Sequence, residues 1–223
     1  MGRAEQLGDD VPEHLRLGQR TPLWGLSKLQ QLKGVDTVFD IGVFKGTPEL
    51  YAAFEQSHFV LVDPIRNAPD RLKIKPARYT YVNRALGAEP GMLTLDEMGP
   101  KTGLQQRTPL AEGKLRNQYE VEVVTLDTVI DEHAPEGTIG LKIDTEGFEE
   151  EVIKGLVRHS DRVTFAICEA SIRRRFVGGY RFSDLIIAMR ERGLEFFNIL
   201  NQTQAFPRCY DLLFLRHDHP MFD

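Results

Sequence analysis

The chain has 223 residues, 41% of them hydrophobic and 27% charged, which is ordinary globular composition and enough for one substantial domain with a buried core. Its formal net charge of −5 argues against a protein that coats nucleic acid by bulk electrostatics, because such binding needs an excess of Lys and Arg. No apolar run approaches the roughly 18 residues of a membrane-spanning helix, and the first residues lack the order of a signal peptide. We therefore expect a cytoplasmic protein with no membrane partner, and the sequence leaves its oligomeric state open.

Residues 1–34 are predicted to form an N-terminal arm followed by one helix, and residues 35–223 the main domain. The first 20 residues mix charges with few apolar positions. Thr21 and Pro22 then offer an N-cap and a first-turn proline, and leucines recur at roughly helical spacing as far as Gly34.

Beyond Gly34, short apolar strands alternate with helical stretches. The predicted strands cover residues 37–41, 58–63, 79–83, 138–144 and 163–169. The predicted helices cover residues 47–56, 66–75, 127–133 and 149–156. Because strands that alternate with helices pair in parallel and are covered on both faces, the pattern predicts an α/β fold.

Other segments depart from this alternation. Residues 85–97 and 119–125 are predicted extra strands around a polar loop at 98–117, and a loop this long in a compact domain is usually functional or mobile. A basic, glycine-bearing loop follows at 173–181. The chain then continues with a helix capped by Ser183 that ends at Gly193, and with strands at 196–200 and 210–215 that are predicted to pair antiparallel at the edge of the sheet.

The first predicted strand runs into a glycine turn, Asp40-Ile41-Gly42-Val43-Phe44-Lys45-Gly46. Glycine lets the chain turn sharply and lets a ligand approach the backbone. Taken alone, such a turn is as typical of a purely structural role as of a cofactor-binding one. Asp63 ends the second strand 17 residues after Gly46, near the spacing at which doubly wound folds place a carboxylate for ribose hydroxyls. Together these features predict an adenosine cofactor.

The details of the turn favour S-adenosylmethionine over a dinucleotide. Bulky Phe44 stands where a dinucleotide turn usually has its second glycine. Asp40 would repel a phosphate but would accept hydrogen bonds from a cationic α-amino group. An NAD(P)-dependent oxidoreductase and a non-catalytic cofactor-binding module stay open as alternatives.

Five segments, in this order, resemble the FkbM family of class I methyltransferases: residues 38–46, 62–64, 83–87, 124–127 and 141–149. The last, Leu-Lys-Ile-Asp-Thr-Glu-Gly-Phe-Glu, is similar to the family's hallmark Lys-Ile-Asp-x-Glu-Gly-x-Glu. Phe44 departs from the small or amide residue common in the family, and Asp63 from its commoner Glu.

The resemblance implies a Rossmann-like, doubly wound, mostly parallel seven-stranded sheet with a C-terminal antiparallel strand pair and helices on both faces. It also implies S-adenosylmethionine-dependent O-methylation of a sugar or natural-product hydroxyl, so the expected partner is a small-molecule or glycan substrate. N-methylation of a peptide side chain is the alternative reaction. The expected cofactor-binding residues are Asp40, Gly42, Val43, Phe44, Lys45, Gly46, Asp63, Pro64, Arg84, Ala85 and Asp144.

Ionisable side chains follow the fourth and fifth predicted strands. Asp144, Glu146 and Lys142 are the candidate catalytic residues, because methyl transfer needs a group that positions the acceptor and takes its proton. In the alternative interpretation, Lys142 and Asp144 form a buried pair that fixes the strand end. Divalent metal dependence is left open, with Asp144 and Glu169 as its candidate ligands.

Candidate substrate-binding residues lie in the two long loops. They are Thr102, Arg173, Arg174 and Tyr180, since arginines bind phosphate or carboxylate and aromatic rings stack on sugars. A charge run of this kind is equally typical of a solvated surface. The cysteines, Cys168 and Cys209, are expected to be reduced core thiols.

Overall fold

The computed structural model describes residues 29, 32, 34–109, 113–200 and 207–223. The predicted N-terminal arm and most of the predicted first helix lie outside these residues. Leu29 and Leu32 are described, and both side chains are buried in the core.

A seven-stranded sheet forms the centre of the molecule. Its strands are β1 (Thr37–Ile41), β2 (His58–Val62), β3 (Tyr79–Val82), β7 (Ile139–Ile143), β8 (Val163–Ser171), β9 (Leu194–Ile199) and β10 (Cys209–Arg216). They lie in the spatial order β3-β2-β1-β7-β8-β10-β9. Every pairing is parallel except those of β10, which runs antiparallel to both β8 and β9. The predicted fold class and the C-terminal antiparallel pair are therefore confirmed.

Burial on both faces explains why the central strands are apolar throughout. All five residues of β1 are buried, with Phe39 and Ile41 in the cluster on one face and Val38 in the cluster on the other. A strand covered on both sides has no solvent face on which to alternate polar residues. The sheet therefore separates two apolar layers, and its strand ends remain the place where polar groups collect.

The helices are short and cover the two faces. They are α1 (Pro48–Ala53), α2 (Ala68–Arg71), α3 (Leu126–His133), α4 (Glu149–Lys154) and α5 (Phe182–Glu191). The second is much shorter than the predicted 66–75, because Leu72 already has extended backbone with ψ of 112°. In the part of the chain that the structure describes, no helix is both long and apolar enough to cross a membrane.

The cap predicted for the last helix is wrong. Helix α5 begins at Phe182, one residue before Ser183, and Arg181 is its N-cap. The Arg181 backbone N–H donates to the Asp184 carboxylate at 2.9 Å, so a side chain three residues into the helix takes up the free amide.

A second sheet of three strands lies beside the first. Its strands are β4 (Ala85–Leu86), β5 (Gly91–Glu97) and β6 (Asn117–Val124), in the spatial order β4-β6-β5. The extra strands predicted from the sequence thus exist, but they form a sheet of their own. Leu95 and Val121 from this sheet pack against Ile65 and Ala68, which follow β2.

Candidate functional site

A crevice with a cavity of about 400 Å³ opens at the carboxyl ends of β1, β2, β7 and β8. Ligands in open α/β sheets bind at this edge. Most of the predicted site residues line it, including Gly42, Val43, Phe44, Lys45, Gly46, Asp63, Pro64, Arg84, Ala85, Thr102, Lys142, Asp144, Glu146 and Glu169. The structure therefore gathers residues from six separate sequence segments around one cavity.

The glycine turn is held between two neighbouring strand ends. Gly42 has a φ of +80°, and a Cβ atom there would lie 1.8 Å from the Asp144 carbonyl oxygen. The Gly42 N–H donates to Val62 O, and the Asp144 N–H donates to Ile41 O. Only glycine lets the turn after β1 approach the loop after β7 this closely.

The turn accommodates the bulky side chain of Phe44. Its backbone is left-handed, with a φ of +49°, and its ring packs beside Ile65, Leu95 and other members of the apolar cluster of the second sheet. The ring thus closes the crevice on the side of that sheet.

Asp63 fixes the shape of the turn from the end of β2. Its carboxylate accepts hydrogen bonds from the Phe44 N–H at 2.8 Å and from the Ile65 N–H at 2.9 Å. Burial raises its pKa, although these two amides act in the opposite direction. The carboxylate lines the crevice with its orientation already set by backbone donors.

Asp40, in contrast, does not line the crevice. Its side chain is fully buried under the turn, where the Tyr51 hydroxyl donates to Oδ2 at 2.8 Å. Oδ1 lies 3.6 Å from the Lys142 Nζ and has no hydrogen-bond partner among the described residues. Asp40 therefore supplies a negative charge beneath Lys142.

Lys142 lies between two carboxylates. Its ammonium is 3.6 Å from Asp40 and 3.3 Å from Asp144, and it donates to Gly42 O at 3.4 Å. Burial by itself lowers the pKa of Lys142, but the charges of Asp144 and Asp40 outweigh burial and raise it. Lys142 thus stays protonated and links the turn after β1 to the end of β7, but the Asp144 side chain is 36% exposed, so the two do not form the fully buried pair of the alternative interpretation.

Three carboxylates converge beside the glycine turn. Asp144, Glu146 and Glu169 each present an oxygen within 4.8 Å of the others. Burial, together with the charges of Asp144 and Glu146, raises the pKa of Glu169 to about 8. This geometry extends the predicted metal pair by one carboxylate, and metal dependence stays a prediction.

Two arginines that were not among the predicted site residues complete this cluster. Arg175 lies 2.7 Å from Glu146 and 3.0 Å from Glu169, and Arg107 lies 3.2 Å from Glu146. Both guanidinium groups lie against the Phe176 ring, 5.1 Å and 5.2 Å from its centroid. Positive charge is therefore already paired with two of the three carboxylates.

The arginine of the basic run that reaches the site is Arg175, and not Arg173 or Arg174 as predicted. Arg173 and Arg174 are exposed and do not line the crevice, whereas Arg175 is 8% exposed and turns inward. The cause is the packing of Phe176 against Gly147, which draws this part of the loop towards the crevice. Tyr180 does not line the crevice either, because its hydroxyl is bonded to Glu149 and Ser171.

Of the residues that the sequence prediction missed, some carried a recognisable sequence signal and one did not. Arg175 belongs to a visible basic run, and Glu149 closes the hallmark string, so both carried a signal. Arg107 lies in a polar loop and carried none, because it is brought to Glu146 by contacts between distant segments, among them its bridge to Phe176.

A doubly wound parallel sheet with a glycine turn after its first strand and a buried carboxylate ending its second defines an enzyme of the adenosine-cofactor class. The chain belongs to the FkbM methyltransferase family, whose domain model matches residues 40–196. The family resemblance is thereby confirmed, and the protein is an S-adenosylmethionine-dependent methyltransferase.

Solved structures of methyltransferases are similar in outline. Magnesium protoporphyrin IX methyltransferase from Synechocystis PCC 6803, with bound S-adenosylmethionine, is 12% identical; the match covers 86% of this chain and 76% of that one with a TM-score of 0.48. Precorrin-6y C5,15-methyltransferase from Geobacter metallireducens GS-15 is 9% identical, with 92% and 93% covered and a TM-score of 0.44. TM-scores below 0.5 support no conclusion about this protein, so its assignment depends on the family match. No curated protein matches the sequence significantly.

Proposed function

We propose that the protein O-methylates a hydroxyl group of a polyhydroxylated small molecule, such as a sugar or a natural-product scaffold. The observation that carries the proposal is the convergence of Asp144, Glu146 and Glu169 beside the glycine turn. Carboxylates accept hydrogen bonds from hydroxyl groups.

The residues of the crevice fit S-adenosylmethionine. The turn at Gly42 has no room for a Cβ atom, and Asp63 at the end of β2 is the ribose-binding candidate. Ile65, Ala85 and Leu104 offer an apolar wall for a purine ring, and the carboxylates favour a sulfonium cation. The cofactor, when bound, supplies an electrophilic methyl group.

Asp144 is the residue proposed to take the proton of the acceptor hydroxyl. The methyl group would pass from the sulfonium sulfur to that oxygen, so the C–O bond would form as the C–S bond breaks and S-adenosylhomocysteine leaves. Its side chain is 36% exposed, more than those of Glu146 and Glu169, so it is the most accessible of the three carboxylates. Lys142 at 3.3 Å orients it. Glu146 and Glu169, held by Arg175, form the wall against which the acceptor is positioned.

The Asp144→Asn variant tests this assignment. Asparagine keeps the shape but does not take a proton, so we expect kcat to fall about 10²- to 10⁴-fold, while the Kd for S-adenosylmethionine changes only a few-fold. Glu150→Gln is the matched control, because Glu150 pairs with Lys154 outside the crevice. Unchanged turnover in Asp144→Asn would remove Asp144 as the proton acceptor.

The acceptor itself is to be found by a screen of the purified protein with methyl-labelled S-adenosylmethionine against glycans, small hydroxylated metabolites and peptides. We expect label in a hydroxylated compound, and label in a peptide alone would overturn O-methylation. Thermal unfolding with S-adenosylmethionine or NAD gives a check that needs no acceptor, because a ligand stabilises the protein that binds it. Stabilisation by NAD alone would contradict the proposed use of the crevice.

A further inference from the structure

Glu146 has an unusual backbone for its residue type. Its φ is +54°, in the left-handed region that residues other than glycine seldom adopt. Such a conformation persists only where the surrounding structure imposes it. The residue lines the crevice and receives both Arg107 and Arg175, so the constraint acts at the functional site.

The constraint is the buried carboxylate of Glu149. Its Oε1 accepts the N–H of Thr145 at 3.0 Å and the N–H of Gly147 at 2.9 Å, the amides on either side of Glu146. The Thr145 hydroxyl adds a third bond at 3.2 Å. Glu149 is 0% exposed, so water does not compete for these donors. One oxygen atom thus fixes both neighbours of Glu146.

Tyr180 joins this carboxylate to the end of β8. The Tyr180 hydroxyl donates to Glu149 Oε2 at 2.8 Å and accepts the Ser171 N–H at 3.1 Å. Ser171 is two residues beyond Glu169 on the same strand. The loop that carries Glu146 and the strand that carries Glu169 are therefore connected through two side chains that do not line the crevice.

We propose that Glu149 and Tyr180 are positioning residues that together set where the Glu146 carboxylate lies relative to Glu169, and hence the acceptor side of the crevice; the catalytic consequence rests on the function proposed above. Their hydrogen bonds go to the loop around Glu146 and to Ser171 at the end of β8, so we expect their loss to change the acceptor half more than the cofactor half.

The Tyr180→Phe variant tests the connection by removing one oxygen atom. It leaves Glu149 Oε2 and the Ser171 N–H without their partner while the ring can still pack. We expect hydrogen exchange at the Gly147 amide to become about tenfold faster, because an unsatisfied buried acceptor weakens the whole arrangement. With the acceptor found by the screen, kcat should fall about 10- to 100-fold, and KM for S-adenosylmethionine should stay within about twofold.

Matched variants separate positioning from general loss of structure. Tyr79→Phe removes a hydroxyl from an exposed tyrosine of β3 and should alter neither quantity. Glu149→Gln keeps an oxygen for the two amides, so it should retain more exchange protection and more activity than Glu149→Ala.

Three results would decide against these assignments in distinguishable ways. Gly147 exchange in Tyr180→Phe equal to that in Tyr79→Phe would overturn the positioning of Glu146. Faster Gly147 exchange in Tyr180→Phe with unchanged kcat would overturn the proposed effect of Glu146 positioning on catalysis. Faster exchange in a protein that methylates no acceptor would overturn the proposed function and leave the positioning supported.

Discussion

Gly42 is the residue at which the two halves of the crevice meet. Its φ is positive, and a Cβ atom added there would lie 1.8 Å from Asp144 O, so the turn leaves no space for any side chain. We expect Gly42→Ala to lower the free energy of unfolding by at least about 2 kcal/mol, because backbone strain adds to a clash with backbone. It should also weaken S-adenosylmethionine binding, measured by calorimetric titration.

The control for this substitution is Gly91→Ala. A Cβ at Gly91 meets nothing within 4 Å, so urea unfolding of that variant should differ from the parent by about 0.5 kcal/mol or less. Equal stability of the two variants would show that the turn adapts to a side chain.

At the same scale, the sequence predicted residue types better than residue roles. Asp40 and Asp63 were both expected to bind the cofactor, Asp40 through its cationic α-amino group and Asp63 through its ribose. The structure buries Asp40 beneath Lys142 and leaves Asp63 at the crevice. Which way a side chain points at a strand end depends on the neighbouring strand, and the local sequence does not contain that neighbour.

Among the elements, strand β5 connects the second sheet to the cavity. Leu95 is 1% exposed, lies in the apolar cluster of this sheet and also lines the crevice. We expect Leu95→Ala to cost about 2–5 kcal/mol of unfolding free energy, because the cavity left behind adds to the lost burial. Affinity for S-adenosylmethionine should fall as well.

Met92, on the same strand, is the matched position. Its side chain is 57% exposed, so Met92→Ala should change the unfolding free energy by about 0.5 kcal/mol or less and leave cofactor affinity unaltered. A large loss in Met92→Ala under the same urea titration would mean that this end of β5 is covered in solution.

Element boundaries in the main sheet were predicted within one or two residues, because the strands are apolar runs and β1, β2, β3 and β7 are each followed directly by Gly, Asp or Asn. The grouping of β4, β5 and β6 into a separate sheet was not predicted. Strand pairing is a contact between distant segments, and nothing in residues 85–97 or 117–124 specifies the partner.

For the whole molecule, the buried carboxylates make stability depend on pH. The Glu169 carboxyl has an ordinary pKa of 4.5 and a folded pKa of about 8. Between these values the folded protein retains a proton that the unfolded chain has released, so the free energy of unfolding falls as pH rises. The contribution is at most about 1.4 kcal/mol per pH unit, and it is absent below pH 4.5 and constant above about 8.

Glu169→Gln should remove this dependence. Urea unfolding measured from pH 5 to pH 9 should give a free energy of unfolding that changes less with pH for the variant than for the parent. The difference in favour of the variant should be largest at the alkaline end. Glu55→Gln, at an exposed position, should reproduce the parent profile. A Glu169→Gln profile parallel to the parent would show that Arg175 keeps Glu169 ionised.

By itself, the sequence determined the α/β class, the glycine turn, the carboxylate at the end of β2 and the family, because each depends on the types and order of residues along the chain. Only the tertiary structure decided that Arg175 and Arg107 reach the crevice while Arg173 and Arg174 do not. It also decided that Asp40 lies beneath Lys142, and that Glu149 and Tyr180 hold the loop of Glu146. The reason is physical: each of these facts is a contact between segments that are distant in the sequence, and such contacts form only when the sheet brings the ends of separate strands to one edge.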